Sequence, residues 1–166
     1  MATAIEFAVT LAFLGLLAAT IWWDARLYRI PNGLTAAFVG LFVVAVAAGQ
    51  VPLDGLWGHM GAGGIALLVG MGVYFLGCAG GGDAKLLSAL ILWSGWTFDS
   101  LRLVFVMALM GGLVSAVVWG VAQWRRRGEI RDPDTGPAQL KVPYGVALAV
   151  AGFDFWLRKL FPALMA

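Results

Sequence analysis

The chain has little with which to bind metal or cross-link itself: one cysteine, Cys78, and one histidine, His59, in 166 residues. That excludes a disulfide framework and any all-cysteine or mixed cysteine–histidine structural zinc site built within the chain. No metal and no other cofactor is expected. Charge is equally scarce. Asp, Glu, Lys and Arg make up 12% of the residues, about half the share of an ordinary soluble domain, while 61% are hydrophobic. The mean hydropathy is +0.89. These values define a membrane protein, and they leave no room for a separate soluble domain. Six helices of about 20 residues each would use most of the chain, so residues 1–166 are read as one transmembrane domain.

No Lys or Arg precedes the first apolar run, which closes on Trp22-Trp23-Asp24 without a small-residue cleavage pattern. The first segment therefore reads as a retained helix rather than a cleaved signal. Apolar runs place helices at about 5–23, 34–50, 56–77, 84–98, 101–123 and 144–162, giving an all-α polytopic bundle. The one long connection, 124–143, is rich in proline, glycine and mixed charge and reads as a solvated loop.

The formal charge of +2 is read as a topology signal, and no nucleic-acid partner is expected. One end of the bundle collects Arg26, Arg29, Lys85, Arg125, Arg126, Arg127, Arg131 and Lys141; the other holds Arg102, Arg158 and Lys159. The bias puts the first end in the cytoplasm and both termini outside. Gly61, Gly63, Gly64, Gly70 and Gly72 read as helix-packing positions. The fourth span is short, about 22 Å at 1.5 Å per residue against a hydrocarbon core of about 30 Å. Gly80-Gly81-Gly82-Asp83 precedes it and is expected to break from helical geometry inside protein or beside water.

Most of the nine acids have ordinary explanations. Glu6, Asp54, Asp99 and Asp154 fall near external helix ends, and Glu129, Asp132 and Asp134 lie in the solvated loop. Asp24 and Asp83 differ, since both fall at the cytoplasmic ends of spans, where an ionisable group points to function. Asp83 has an alternative reading as a helix N-cap. Asp24 could end its helix and pair with Arg26 or Arg29, although an acid there opposes the helix dipole. Two carboxylates sharing a site tend to hold one proton between them, an arrangement suited to activating water for peptide hydrolysis. Considered on their own helices, Asp83 is the member favoured to ionise and Asp24 the member favoured to hold the proton.

At this point the sequence resembles a known family. Gly80-Gly81-Gly82-Asp83-Ala84-Lys85-Leu86 is similar to the GxGD signature of intramembrane aspartic peptidases, in the GxGDxKL form of the type IV prepilin peptidases. Asp24-Ala25-Arg26-Leu27-Tyr28-Arg29-Ile30-Pro31-Asn32 resembles that family's first-aspartate segment, and Val142-Pro143-Tyr144-Gly145 resembles its Pro-Tyr-Gly entrance to the last helix. The three matches together, in order and at one end of the spans, are far more specific than any one alone. Larger members carry paired Cys-x-x-Cys motifs and N-methylate the pilin; with one cysteine, this chain resembles the small TadV and CpaA group instead, which acts on Flp-type pilins and pseudopilins. No methyltransferase activity is expected.

The resemblance implies that Asp24 and Asp83 form a catalytic dyad, one as general base on water and the other as general acid toward the peptide. It implies that Gly80 and Gly82 allow close backbone approach to substrate, with a plain turn as the alternative. Lys85 either snorkels to the interface or pairs near Asp83. Pro31 stops the first helix, and Asn32 reads as a cap on the second. Pro143, Tyr144 and Gly145 start the last helix, Tyr144 as an interfacial anchor. His59 reads as a packing or surface residue, and Cys78 lacks a histidine on its side of the membrane, which disfavours a thiol peptidase.

The implied partners are membrane lipid and a prepilin or pseudopilin with a basic cytoplasmic leader and an apolar helix. The implied location is the bacterial inner membrane. Arg125 to Arg127 would repel such a leader, so they read as lipid-facing topology determinants. Archaeal preflagellin peptidases share the same pattern. The competing class is a small proton- or cation-coupled carrier using the two acids; a noncatalytic assembly subunit would need no acidic pair.

Overall fold

The computed structural model describes residues 4–77, 79–126 and 142–160. Among these, six helices follow in order: α1 (Ala4–Leu27), α2 (Asn32–Ala47), α3 (Leu56–Phe75), α4 (Gly81–Ser94), α5 (Phe98–Arg126) and α6 (Tyr144–Leu160), with a single 3-10 turn at Leu53–Gly55 before α3. The all-helical membrane bundle expected from composition is what forms. Three stretches, Ala4–Leu27, Leu53–Phe75 and Phe98–Trp124, are long and apolar enough to cross a bilayer, and Asn32–Ala47 is a shorter apolar helix. Large apolar side chains such as Leu68, Phe105 and Phe75 face outward on the bundle's rim, as lipid rather than water as solvent allows.

Helix ends depart from the hydropathy edges for local reasons. The second helix stops at Ala47 rather than 50 because Gly49 turns left-handed (φ 72°), with its N–H donating to Val46 O and that of Gln50 to Ala45 O. Gly77 (φ 75°) stops α3, and Gly95 (φ 68°) stops α4 four residues before the expected end. All three use glycine's access to positive φ to close a helix. The first helix runs a turn past Asp24, ending at Leu27, and there the left-handed residue is Tyr28 (φ 49°), an unusual place for an aromatic.

A larger correction concerns the glycine triplet. Only Gly80 departs from helical geometry, as the extended N-cap of α4 (φ −75°, ψ 141°), whereas Gly81, Gly82 and Asp83 are its first turn. The lost side chains serve close approach instead. A methyl on Gly81 would lie 3.4 Å from the Tyr74 ring, and one on Gly82 would lie 3.2 Å from Ile30 Cβ.

The core sits between α1, α2, α4 and α6. Phe13 stacks on Trp156 at 4.1 Å and meets Phe38 and Trp93 edge-on, while Trp93 Nε1 donates to Phe38 O at 3.0 Å. His59 packs near Phe42, with its Nδ1 2.8 Å from Leu92 O, so it is a packing residue as expected. At the far end from Asp24, Asp154 binds Arg102 at 2.8 Å and Arg158 at 3.6 Å, and Asp54 accepts from the Gly55 N–H. These acids are structural.

The tightest pairing is α3 with α4, where lipid supplies no hydrophobic drive and close backbone contact must. Ser88 donates to Gly63 O across the pair at 2.8 Å. A methyl on Gly63 would lie 3.1 Å from Leu92 Cβ, and one on Gly70 2.8 Å from Ala84 Cβ, whereas Gly64 and Gly72 meet nothing within 4 Å. Only part of the glycine set therefore packs helices. Gly70→Ala is expected to lower stability by about 1–3 kcal/mol through overpacking, and Gly72→Ala to change it by no more than about 0.5 kcal/mol. Unfolding of the two purified variants in detergent compares them directly.

Candidate active site

Three separated segments meet at the end of the bundle that holds the C-terminus of α1 and the N-termini of α2, α4 and α6. Asp24, on the last turns of α1, is 4% exposed, and its Oδ2 accepts from the N–H of Val146 at 3.2 Å. The amide of Gly145 interacts with the same carboxylate. Those amides belong to the first turn of α6, where backbone N–H groups have no helical acceptor. Asp24 does not pair with Arg26, whose guanidinium lies over the Trp22 ring at 3.8 Å.

Asp83 is not the N-cap of α4 but its third residue, and its carboxylate turns back to accept from the backbone N–H of the cap, Gly80. This is the acid half of a capping box. A methyl on Gly80 would sit 2.7 Å from Asp83 Oδ2, so the carboxylate occupies space that glycine leaves open. The charges of Asp83 and Asp24 interact, so the fold brings the two acids selected from sequence near one another although 59 positions (83 minus 24) separate them. Each carboxylate is held by the amide end of a helix, Asp24 by α6 and Asp83 by α4. The difference expected from their own helix dipoles is thus offset by a neighbour that the sequence does not reveal.

The segment after Asp24 closes the site. The left-handed turn at Tyr28 reverses the chain, and Pro31 starts α2 as its N-cap, its carbonyl accepting from Leu34 and Thr35. Asn32 is the first helical residue and makes no side-chain cap; its Oδ1 instead accepts from Lys85 Nζ at 3.1 Å. Lys85 therefore ties α4 to α2 rather than pairing with Asp83.

Pro143 accepts from the Val146 N–H at the start of α6, so that amide is shared between Pro143 O at 3.3 Å and Asp24. Tyr144 packs on α5, where a methyl on Gly111 would lie 2.7 Å from its ring. Gly145 is buried because a methyl there would lie 2.9 Å from both Asp24 Cγ and Ile30 Cδ1. Gly80, Gly82 and Gly145 thus have their side-chain space occupied by the protein itself.

Tyr28, Ile30 and the Val146 amide carry no signal of their own in the sequence: Tyr28 and Ile30 fall within the first-aspartate segment without a distinguishing residue type, and backbone donors leave no mark in residue identity. Cys78 and most of the basic loop, 127–141, lie outside the described residues. A groove of about 280 Å³ between α2, α3 and α4 is lined by Thr35, Val39, Leu67, Lys85, Ser88 and Leu92 among others, and neither aspartate lines it.

A bundle of apolar helices with two aspartates gathered at one end, each fixed by helix-terminal amides, defines a membrane-embedded protein with a two-carboxylate site. Comparison with known proteins makes the class specific. The model of the type IV leader peptidase family matches residues 11–120, a range that includes both Asp24 and Asp83. Leader peptidase HopD of Escherichia coli is 32% identical over 136 residues, covering 79% of this chain and 80% of that protein. No solved structure matches at a significant level. The chain belongs to the type IV leader peptidase family.

Gly145→Ala tests the geometry at Asp24. The added methyl must displace the carboxylate from the Val146 amide, and cleavage of a co-expressed leader-bearing substrate is expected to fall by about 10-fold or more. Gly112→Ala, whose methyl would meet nothing within 4 Å, is expected to cleave at the wild-type rate; a gel shift of the substrate reads both.

Proposed function

We propose that the protein is an aspartic endopeptidase that removes the basic leader from type IV or Flp-type prepilins or pseudopilins at the cytoplasmic face of a bacterial inner membrane. The observation that carries this reading is the meeting of Asp24 and Asp83 at one end of the bundle, each carboxylate held by a helix-terminal amide. In the competent state the pair holds one proton. The ionised carboxylate takes a proton from a water, which attacks the scissile carbonyl; the protonated partner supports the developing oxyanion and then delivers a proton to the departing amine. Gly80, Gly82, Lys85, Pro31, Asn32, Pro143, Tyr144 and Gly145 shape the site around the dyad.

The location of the dyad supports a substrate whose cleavage point lies at the membrane boundary. The same end carries Arg26, Arg29 and Lys85, against Arg102, Arg158 and Lys159 at the other, and with the sequence of the basic loop this bias supports a cytoplasmic site with both termini outside. The chain acts as one transmembrane domain in contact with lipid, without methyltransferase activity. The carrier reading has less support, since Asp24 lies on the last turns of α1 and Asp83 in the first turn of α4, at one end of the bundle rather than at its middle.

Co-expression with a prepilin tests the reading. Asp24→Asn and Asp83→Asn are each expected to reduce leader removal by about 100-fold or more while inserting normally; normal cutting by either variant would falsify the dyad. Activity of the wild type is also expected to be bell-shaped in pH. It falls on the acid side as both carboxyls become protonated and on the basic side as both ionise, and a profile lacking either limb contradicts a one-proton pair.

A further inference from the structure

We propose that Ile30 is a positioning residue: its side chain is the spacer between the N-terminal ends of α4 and α6 that fixes the separation of Asp24 and Asp83. This rests on the dyad reading above. The geometry is two-sided. Ile30 Cβ would be 3.2 Å from a methyl on Gly82, the residue before Asp83, and Ile30 Cδ1 would be 2.9 Å from a methyl on Gly145, the residue before the amide that holds Asp24. One side chain thus fills the two spaces that glycine leaves open, one at each aspartate-holding helix end.

The backbone around Ile30 is pinned for this task. Tyr28 holds a left-handed conformation two residues earlier, and Pro31, with φ −63°, follows directly as the cap of α2. A β-branched residue is stiff at χ1, so Cβ and Cδ1 keep their two directions. Ile30 is partly buried against the core although it lies in a connection between helices. The bond from Lys85 to Asn32 fixes the same connection to α4 from its other side. The interaction of two like charges grows as their separation shrinks, so the spacer also sets how strongly the two carboxylates couple. Trimming it lets the two helix ends draw together, and forcing a methyl against it drives them apart.

The test uses the full-length protein in detergent with a purified prepilin, measuring kcat and KM from acid to alkaline pH for the wild type, Ile30→Ala, Ile30→Val and Gly82→Ala, with melting temperatures alongside. Ile30→Ala is expected to lower kcat by about 10- to 100-fold with KM within about twofold, and to move the acid and basic limbs of the kcat profile further apart. Ile30→Val, which keeps the Cβ at Gly82 but loses the Cδ1 at Gly145, is expected to lower kcat less than Ile30→Ala does, by about 10-fold at most. Gly82→Ala is expected to bring the limbs closer together. Arg26, Tyr28, Arg29, Tyr74, Lys85 and Tyr144, the other charged or titratable groups described near this end, are unchanged in every variant.

Limbs that stay at wild-type positions in Ile30→Ala while kcat falls, or that move the same way in Ile30→Ala and Gly82→Ala, overturn the proposal. Where Ile30→Ala does not fold, Ile30→Val and Gly82→Ala decide it, by a small widening in one and a narrowing in the other. Asp24→Asn and Asp83→Asn in the same assay separate the two levels: cutting by either removes the dyad itself, whereas inactivity of both with wild-type limbs in the spacer variants removes only the role of Ile30.

Discussion

The hydrogen bond from the Val146 amide to Asp24 links residues 122 apart in sequence, and the rest of the site depends on it. A carboxylate that is 4% exposed in a bundle surrounded by hydrocarbon needs donors, and side-chain donors are rare in a chain this poor in charge. The first turn of a helix supplies unpaired N–H groups without adding any charge. For α6 to offer them, its backbone must reach Asp24, and that requires Gly145, since any methyl there would fall within 3 Å of the carboxylate carbon. The same reasoning applies at Asp83, where Gly80 both donates its amide and leaves room for the carboxylate to turn back.

That arrangement holds only if the helices carrying it are fixed, and the fixing occurs deeper in the bundle. Short α4, with seven of its 14 residues buried, packs against α2, α3, α5 and α6. Its contacts are made by small groups: Ala84 against Gly70 directly beneath Asp83, and Ser88 bonded to Gly63 a turn further on. A methyl on Gly152 would lie 2.7 Å from Leu17 Cδ2, which brings α6 against α1 two turns below Asp24. Below that the Phe13, Trp93 and Trp156 rings interlock α1, α4 and α6. Since lipid gives no hydrophobic drive to helix association, this close packing provides the stability.

Composition and apolar runs were enough to read the helical membrane bundle, and the scarcity of acids was enough to isolate Asp24 and Asp83. The helix ends were less legible. Gly49, Gly77 and Gly95 end α2, α3 and α4 through positive φ, but in a chain with 23 glycines residue identity does not say which ones turn left-handed. The glycines before Asp83 looked like an unwound segment because three in a row are poor helix formers; in a helix's first turn that cost is outweighed by the close approach of Ile30 and Tyr74. Asn32 looked like a cap, and Lys85 like a snorkelling side chain or a partner for Asp83; in the fold Lys85 donates to Asn32. That pairing is long-range, with 53 positions between them, and no local pattern encodes it.

The same limit explains why the division of labour between the two acids does not follow from their own helices. Asp24 lies at a C-terminus and Asp83 at an N-terminus, and on that basis their affinities for a proton should differ in a fixed direction. In the folded bundle Asp24 also faces the N-terminus of α6, whose amides act on it at hydrogen-bond distance, closer than the diffuse field of its own last turn. Both acids then see one helix N-terminus each, an arrangement nearer to symmetry than the chain order suggests. Symmetry suits the proposed dyad, in which a pair sharing one proton would exchange roles between water activation and leaving-group protonation. A site with one strongly favoured carboxylate would be poised for only one of those steps. The two helix N-termini come together because α4 and α6 start at the same end of the bundle, which follows from the alternating direction of successive helices.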